Sequence, residues 1–411
     1  MIWFKLGWRN LWRNRRRTII ELASIGGSVF LGVAWNNIAV GTYDKMIDDG
    51  VRMGSGHIGI YHYEYLELRK TEQTFEIGNL VSELESDPDV SGVYPRLHVP
   101  GLVRSSRDSR ASGLMGIDFE REKSTNPLLA LKRIIDGELP TKDNERGSLM
   151  GETLARELGL EVGKKFVVMV QSKDGEIASS LLRVTGILRS NIREIDAGVV
   201  FINRKKLGEI IGSRDVAHEI AVMLHSHKLI HRALPRVRAV IEQSPNAEAY
   251  RWKEAMPELS STVQMDHAGL QVMVIILYII VGIGTINTLL MSVMERTREF
   301  GVVRAIGVNK AGIRKMVLSE AVVLACAGVF IGMVLGILTG FYTASKGINL
   351  SSLIEEQGVG GTLFEPIMYS GWDMTGMFLL GGGMIFIAIL ASLYPAHHVM
   401  KIQPSDAMRI Y

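Results

Sequence analysis

The chain has a single cysteine, Cys326, in 411 residues. An intramolecular disulfide is excluded, so any exported part must fold without one. Net charge is also scarce: 46 basic residues against 43 acidic ones leave a formal +3. That excludes the broadly basic surface that nucleic-acid binding requires. A phosphate-binding loop is missing. The nearest stretch, Gly163-Lys164-Lys165, has no glycine five residues before Gly163 and no hydroxyl after Lys164. No HExxH and no GxSxG occurs, which removes the local signatures of zinc proteases and nucleophile-elbow hydrolases. His225, His227 and His231 lack carboxylate or thiolate support at ligand spacing and read as a solvated face. His397-His398 reads as an interfacial anchor.

What is present is segregated. Four long apolar runs alternate with charged blocks, a pattern foreign to a single soluble domain. The expected spans are 18–40, 268–293, 313–341 and 374–394. The first is the least apolar; Glu21 lies one turn inside it and is expected to reach back to the arginines before it. Residues 1–17 carry six basic residues and no acid, interleaved with tryptophans and other apolar side chains. They read as a cytoplasmic amphipathic helix in the headgroup region. Basic residues also collect in 294–312 and in the tail 395–411, whereas 342–372 carries Lys346 against Glu355, Glu356 and Glu365. The positive-inside rule then places both termini and 294–312 in the cytoplasm. The region 41–267 and the loop 342–373 fall outside, in the periplasm of a diderm bacterium.

The fold class is accordingly an α-helical membrane protein with four transmembrane helices and a large α+β periplasmic domain. That domain sits between the first and second spans. Residues 44–53 read as a helical continuation of the first span. Gly56–His62 alternates as a strand, Val90–Val103 suggests strands around Pro95 and Pro100, and Ser148–Gly159 reads as a helix. An inserted β-rich subdomain is expected at about 96–215. Ala249–His267 reads as a helix running into the second span, with Pro257 as a kink.

Two patterns stand out in the membrane part. Gly328, Gly332, Gly336 and Gly340 repeat every fourth residue on one helix face, the spacing that lets helix backbones approach closely in lipid. The segment 294–312 is longer than a turn needs. It mixes Glu295, Arg296, Arg298, Glu299 and Arg304 with Phe300, Val302, Val303 and Ile306, as a short amphipathic helix at the membrane face would.

Three stretches resemble the MacB/FtsX-like ABC-transporter permeases, and most of all their lipoprotein-releasing branch of the LolC and LolE type. Met291–Gly307 resembles the family's loop between the second and third spans. Gly7–Thr18 resembles its amphipathic N-terminus. Tyr394–Arg409 resembles its C-terminal ending, with Pro395, Pro404 and Ala407 in place and Met408 where leucine is usual. The resemblance implies a non-catalytic subunit with no cofactor of its own. ATP and magnesium would be held by two copies of a cytoplasmic ABC ATPase, and a second permease, identical or paralogous, would complete the complex in the inner membrane. Glu295, Arg296, Arg298, Glu299 and Arg304 would make polar contacts to the ATPase, with Gly301 and Gly307 letting the backbone turn. The periplasmic domain would consist of porter-like and sabre-like parts, moved by the second span. The implied work is extraction of lipoproteins for a periplasmic carrier. Alternatives are MacB-type efflux and FtsX-like signalling to a cell-wall hydrolase. Val33, Val40, Val272 and Ile276 are candidates for contact with the lipid or the acylated substrate.

Overall fold

The computed structural model describes residues 15–400 apart from 143, 245, 350–356, 360–361 and 365–366. The expected amphipathic segment up to residue 14 and the tail beyond 400 lie outside the described residues. The chain forms two compact units: Met1–Asp44 with Met265–Leu350 and Ile367–Tyr411, and Lys45–Gln264 with Ser351–Pro366.

The first unit is helical. Its helices are α1 (Arg15–Met53), α2 (Pro257–Glu295), α3 (Thr297–Ala305), α4 (Lys310–Lys346) and α5 (Met374–Met400), of which α1 and α2 also contribute residues to the second unit. Four of these helices are long and apolar enough to cross a membrane. All four overrun the apolar runs that announce them, because a helix continues wherever its backbone bonds can. The fourth passes through Pro395 and continues to Met400, rather than ending at the proline. α2 differs from its neighbours: 11% of its most apolar stretch is buried within the chain, against 44% for α1 and for α4. Most of its apolar surface is therefore left for lipid or another subunit to cover. An interior cluster joins Ile25, Val29 and Val33 of α1, Val281 of α2, Val329 of α4, and Met377, Leu380 and Met384 of α5. Gly383 on α5 admits the ring of Tyr278, whose hydroxyl donates to the Leu380 carbonyl at 3.4 Å.

The second unit is a large α+β domain. Its main strands are β1 (Ile58–His62), β2 (Val90–Arg104), β3 (Ser109–Ile117), β4 (Gly147–Gly151), β5 (Lys165–Gln171), β6 (Ile177–Leu188), β7 (Val199–Asn203), β8 (Glu219–Leu224) and β9 (Ala247–Arg251). An open sheet runs β9-β1-β8-β2. Helices Leu80–Glu85 and Ile230–Ile241 pack on it, with Met46, Ile47 and Val51 of α1 and Leu259 and Val263 of α2 in the same core. The remaining strands close a circuit: β2-β3-β7-β4-β6-β5 and back to β2. Leu97, Val103, Leu114, Phe166, Val168, Val184 and Val200 fill its interior.

β2 belongs to both halves. Val90 to Arg96 pair with β8, and Leu97 to Arg104 pair with β3. It is one strand of 15 residues rather than separate strands around its prolines. Pro95 lies before the pairing with β3 begins, and Pro100 one residue before β5 joins at Gly101. Both therefore sit where β2 lacks a neighbour on one side, the place a strand tolerates a missing N–H.

Two other expectations fail for local reasons. Ser148–Gly159 is not one helix: β4 is a buried strand and the helix begins at Glu152. A short apolar run of this kind fits a buried strand as well as a helix. Pro257 does not kink a helix but starts one. Residues Ala247–Arg251 before it are strand β9, and a short turn of helix, Trp252–Ala255, ends at Met256. At the first helical position proline sacrifices no intrahelical bond.

Candidate coupling surface

The segment between α2 and α4 is a helix held from behind. α3 buries Phe300 against Val293 of α2, Ile313 and Val317 of α4, and Ala396 and Val399 of α5. Its end is a Schellman cap: the Val308 N–H donates to the Val303 carbonyl at 3.2 Å and the Gly307 N–H to Arg304 at 3.0 Å. Gly307 takes φ +106°, which only glycine adopts freely. The next helix starts at once, the Asn309 side chain accepting from the Gly312 N–H at 2.7 Å. Gly301 has a different place from the one expected. It lies inside α3 on the buried side and makes no turn.

The charged residues divide into two sets. Glu295 forms an ion pair with Arg17 of α1. Arg296 reaches Glu299 at 3.1 Å and Glu320 of α4 at 3.3 Å, and its guanidinium lies 5.4 Å from the Phe300 ring centroid. Arg304 is partly buried. Glu295 and Arg296 thus brace the segment against the bundle. Arg298 is exposed and has no partner among the described residues. On its face of α3 stand Val302, 44% exposed, and Ile306 just beyond, 80% exposed. One cation with two apolar residues at successive helical turns makes a small exposed amphipathic face.

Sequence reasoning missed Arg17 and Glu320 as braces. Glu320 gave a signal: it is the only acidic residue in the run 313–341. Among the described residues Glu21 bonds no arginine. It is buried, its Oε1 has no hydrogen-bond partner, and the nearby arginine Arg17 is engaged with Glu295.

The glycine row of α4 meets α1. A Cβ on Gly328 would stand 2.7 Å from the Ile25 side chain, one on Gly332 2.5 Å from the Gly26 carbonyl oxygen, and one on Gly336 2.6 Å from Val33. Gly340 meets Asn37 and Trp372. Val33 is therefore fully buried behind Gly336, which leaves it no exposed surface to offer lipid or substrate. It belongs to the stripe Ile25, Val29, Val33, which the interior needs at intervals of four. Val40 is half-buried, beside Gly371. Val272 and Ile276 are exposed on the uncovered face of α2.

In the large domain the three histidines separate. His225 follows β8, His227 lies in a 3-10 turn and His231 on the helix Ile230–Ile241. Among the described residues no group of three metal-ligating side chains is placed to hold an ion.

Residues 271–404, which contain α3 and the glycine row, match the family described as FtsX-like permease C-terminal. The lipoprotein-releasing system transmembrane protein LolC of Xylella fastidiosa (strain 9a5c) is 23% identical over 338 residues, covering 79% of each chain. The macrolide export ATP-binding/permease protein MacB of Psychrobacter cryohalolentis is 22% identical over 419 residues, covering 98% of this chain and 59% of that one. The crystal structure of the periplasmic region of MacB from Actinobacillus actinomycetemcomitans is similar with a TM-score of 0.38 at 13% identity, over 54% of this chain and 98% of that chain.

Proposed function

We propose that this chain, whose residues 271–404 match the FtsX-like permease C-terminal family, is an inner-membrane ABC transporter permease of the LolC, MacB and FtsX type, and that α3 is its coupling helix. The observation that carries this reading is the division of the charges on α3. Arg296 and Phe300 fix the helix to the bundle, while Arg298, Val302 and Ile306 are left outward. A helix braced on one side and presenting a compact face on the other can be pushed as a unit.

In this reading the chain has no active site. ATP and magnesium are held by two copies of a cytoplasmic ATPase, and closure of the ATPase pair displaces α3. A second permease, identical or paralogous, packs on this one. The uncovered surface of α2 supports that, since Val272 and Ile276 face away from the chain's own helices. Both termini and α3 lie on the cytoplasmic side and the large domain lies in the periplasm. Arg15, Arg16 and Arg17 at the start of α1, and Lys310, Arg314 and Lys315 at the start of α4, support that orientation.

The cargo we propose is a lipoprotein, extracted from the inner membrane and passed to a periplasmic carrier. The support is the two-sided match to LolC, 79% of each chain. MacB-type efflux is the second reading, favoured by the match to 98% of this chain. Acylated protein co-purifying with the complex is expected under the first. A complex free of it, with normal lipoprotein sorting after depletion, overturns that cargo.

The coupling assignment has its own test. Arg298→Glu combined with Ile306→Asp is expected to lower stimulation of the partner ATPase about tenfold, the effect of roughly 1.4 kcal/mol at an interface. Membrane insertion should be unchanged, because neither side chain supports the bundle. Undiminished stimulation in the double variant removes α3 from the coupling role.

A further inference from the structure

Arg96 lies where the two halves of the large domain meet and is 1% exposed. Its guanidinium carries five N–H donors, and each finds an acceptor. Nε and Nη2 bond the Glu122 carboxylate at 3.0 and 2.7 Å. Nη2 also donates to the Arg52 carbonyl at 2.9 Å, and Nη1 to the carbonyls of Met53, at 3.0 Å, and Gly54. The first two are the last carbonyls of α1, and Gly54 follows it directly. A helix terminus leaves its last carbonyls unsatisfied and carries partial negative charge, so a buried cation with a forked donor set fits it. Glu219 on β8 stands 3.5 Å from Nη1, and His98 bonds Glu219 at 2.9 Å. One side chain thus ties the end of α1 to β2, to β8 of the open sheet, and to the helix Phe119–Glu122 of the other half.

Among the described residues the start of α2 has no such fitting. Pro257 begins it, after a break at Met256 with φ −124° and ψ 71°. Its Leu259 and Val263 pack in the same core as Met46, Ile47 and Val51 of α1, so apolar contact does not separate the two helices. Directional bonds do. Apolar surfaces slide past one another at little cost, whereas three hydrogen bonds from a buried guanidinium to the last carbonyls of α1 and the residue after it fix position along the axis.

We propose that Arg96 is the transmission joint of this permease, a positioning residue that locks the end of α1 to both halves of the domain, so that α1 rather than α2 delivers displacement to it. This rests on the coupling reading above. α1 is unbroken from Arg15 to Met53, about 58 Å at 1.5 Å per residue, and begins with Arg17 paired to Glu295 beside α3.

The test uses the full chain assembled with its ATPase and a second permease in lipid discs, followed by hydrogen exchange with and without ATP. In the parent complex, ATP should change exchange in peptides spanning β2 and β8. Asp48→Gly with Asp49→Gly softens α1 near its joint; Ser261→Gly with Met265→Gly softens α2 equally. The first pair should abolish the ATP-dependent change in the domain while ATP hydrolysis continues. The second pair should preserve it. Arg96→Lys keeps the charge but loses the fork, and should abolish the change in a domain that still melts cooperatively. An equal response in both glycine pairs, or loss only with the α2 pair, overturns the proposal. If the parent complex shows no ATP-dependent change at all, the coupling reading fails and this inference with it.

Discussion

Gly332→Leu is expected to separate α1 from α4 and to leave the chain without a folded membrane bundle. The seam there is backbone against backbone. Even the first carbon of a new side chain would lie 2.5 Å from the Gly26 carbonyl oxygen and 2.6 Å from the Cβ of Val29. Neither atom belongs to a flexible tip that can swing aside. In lipid no hydrophobic force draws these helices together, so close packing is most of what joins them. Overpacking a core costs about 1–3 kcal/mol where side chains absorb it, and more where the backbone must move. Gly332→Ala should already lower resistance to unfolding in detergent, and Gly332→Leu should abolish the folded fraction. Gly27→Leu and Gly382→Leu are the controls, since a Cβ at either meets nothing within 4 Å. Similar losses in the controls and at Gly332 would show that helix flexibility, not the seam, is being measured.

The seam also shows how far the sequence could be read. The period of Gly328, Gly332, Gly336 and Gly340 is visible in the chain, because small residues at every fourth position can serve only one face. Their partner is not visible. Ile25, Val29 and Val33 repeat at the same interval, yet hydropathy gives a helix its length and not its rotation. Val33 therefore looked as available to lipid as Val272. One is buried behind Gly336 and the other is 56% exposed. α3 was legible in the same partial way. Its amphipathic composition marks a helix at a surface. Which of its charges point outward depends on Arg17 and Glu320, which are distant in sequence. In the large domain, the alternation of Ile58–His62 announces a strand. The register change of β2 at Arg96 does not appear in any local pattern, because it is set by which strands arrive on either side.

Acid should weaken the large domain well before its carboxylates titrate. His218 is buried with both ring nitrogens committed to the neutral form. Nδ1 accepts from the His98 N–H at 3.2 Å, and Nε2 donates to the Thr71 carbonyl at 3.1 Å. A proton on Nδ1 would face a donor. Burial first, then the neighbouring His98, push its pKa from 6.5 down to about 3. His57 is alike: Nδ1 accepts from the Leu224 N–H at 3.1 Å, and burial lowers its pKa to about 4. With the native values depressed, the unfolded chain binds a proton at each site below pH 6.5 while the native domain does not. Stability is then complete above 6.5 and falls as pH falls, by about 1.4 kcal/mol per pH unit per histidine. Between pH 6.5 and 4.5 the two together withdraw roughly 5 kcal/mol, comparable to the whole stability of many domains. Glu219 adds nothing in that window. Burial opposes its ionisation, but the bond from His98 and the charges of His98 and Arg96 hold its carboxyl below the ordinary 4.5, so its share is lost only at lower pH. Melting of the domain within the full chain should therefore fall steeply from pH 6.5 to 4.5. In His57→Asn with His218→Asn, which keep an acceptor near each Nδ1 position and cannot be protonated there, the start is lower and the slope nearly flat. A parent protein whose melting is level across that interval would mean that water reaches both imidazoles, and that the core between β8 and α1 opens more readily than its packing implies.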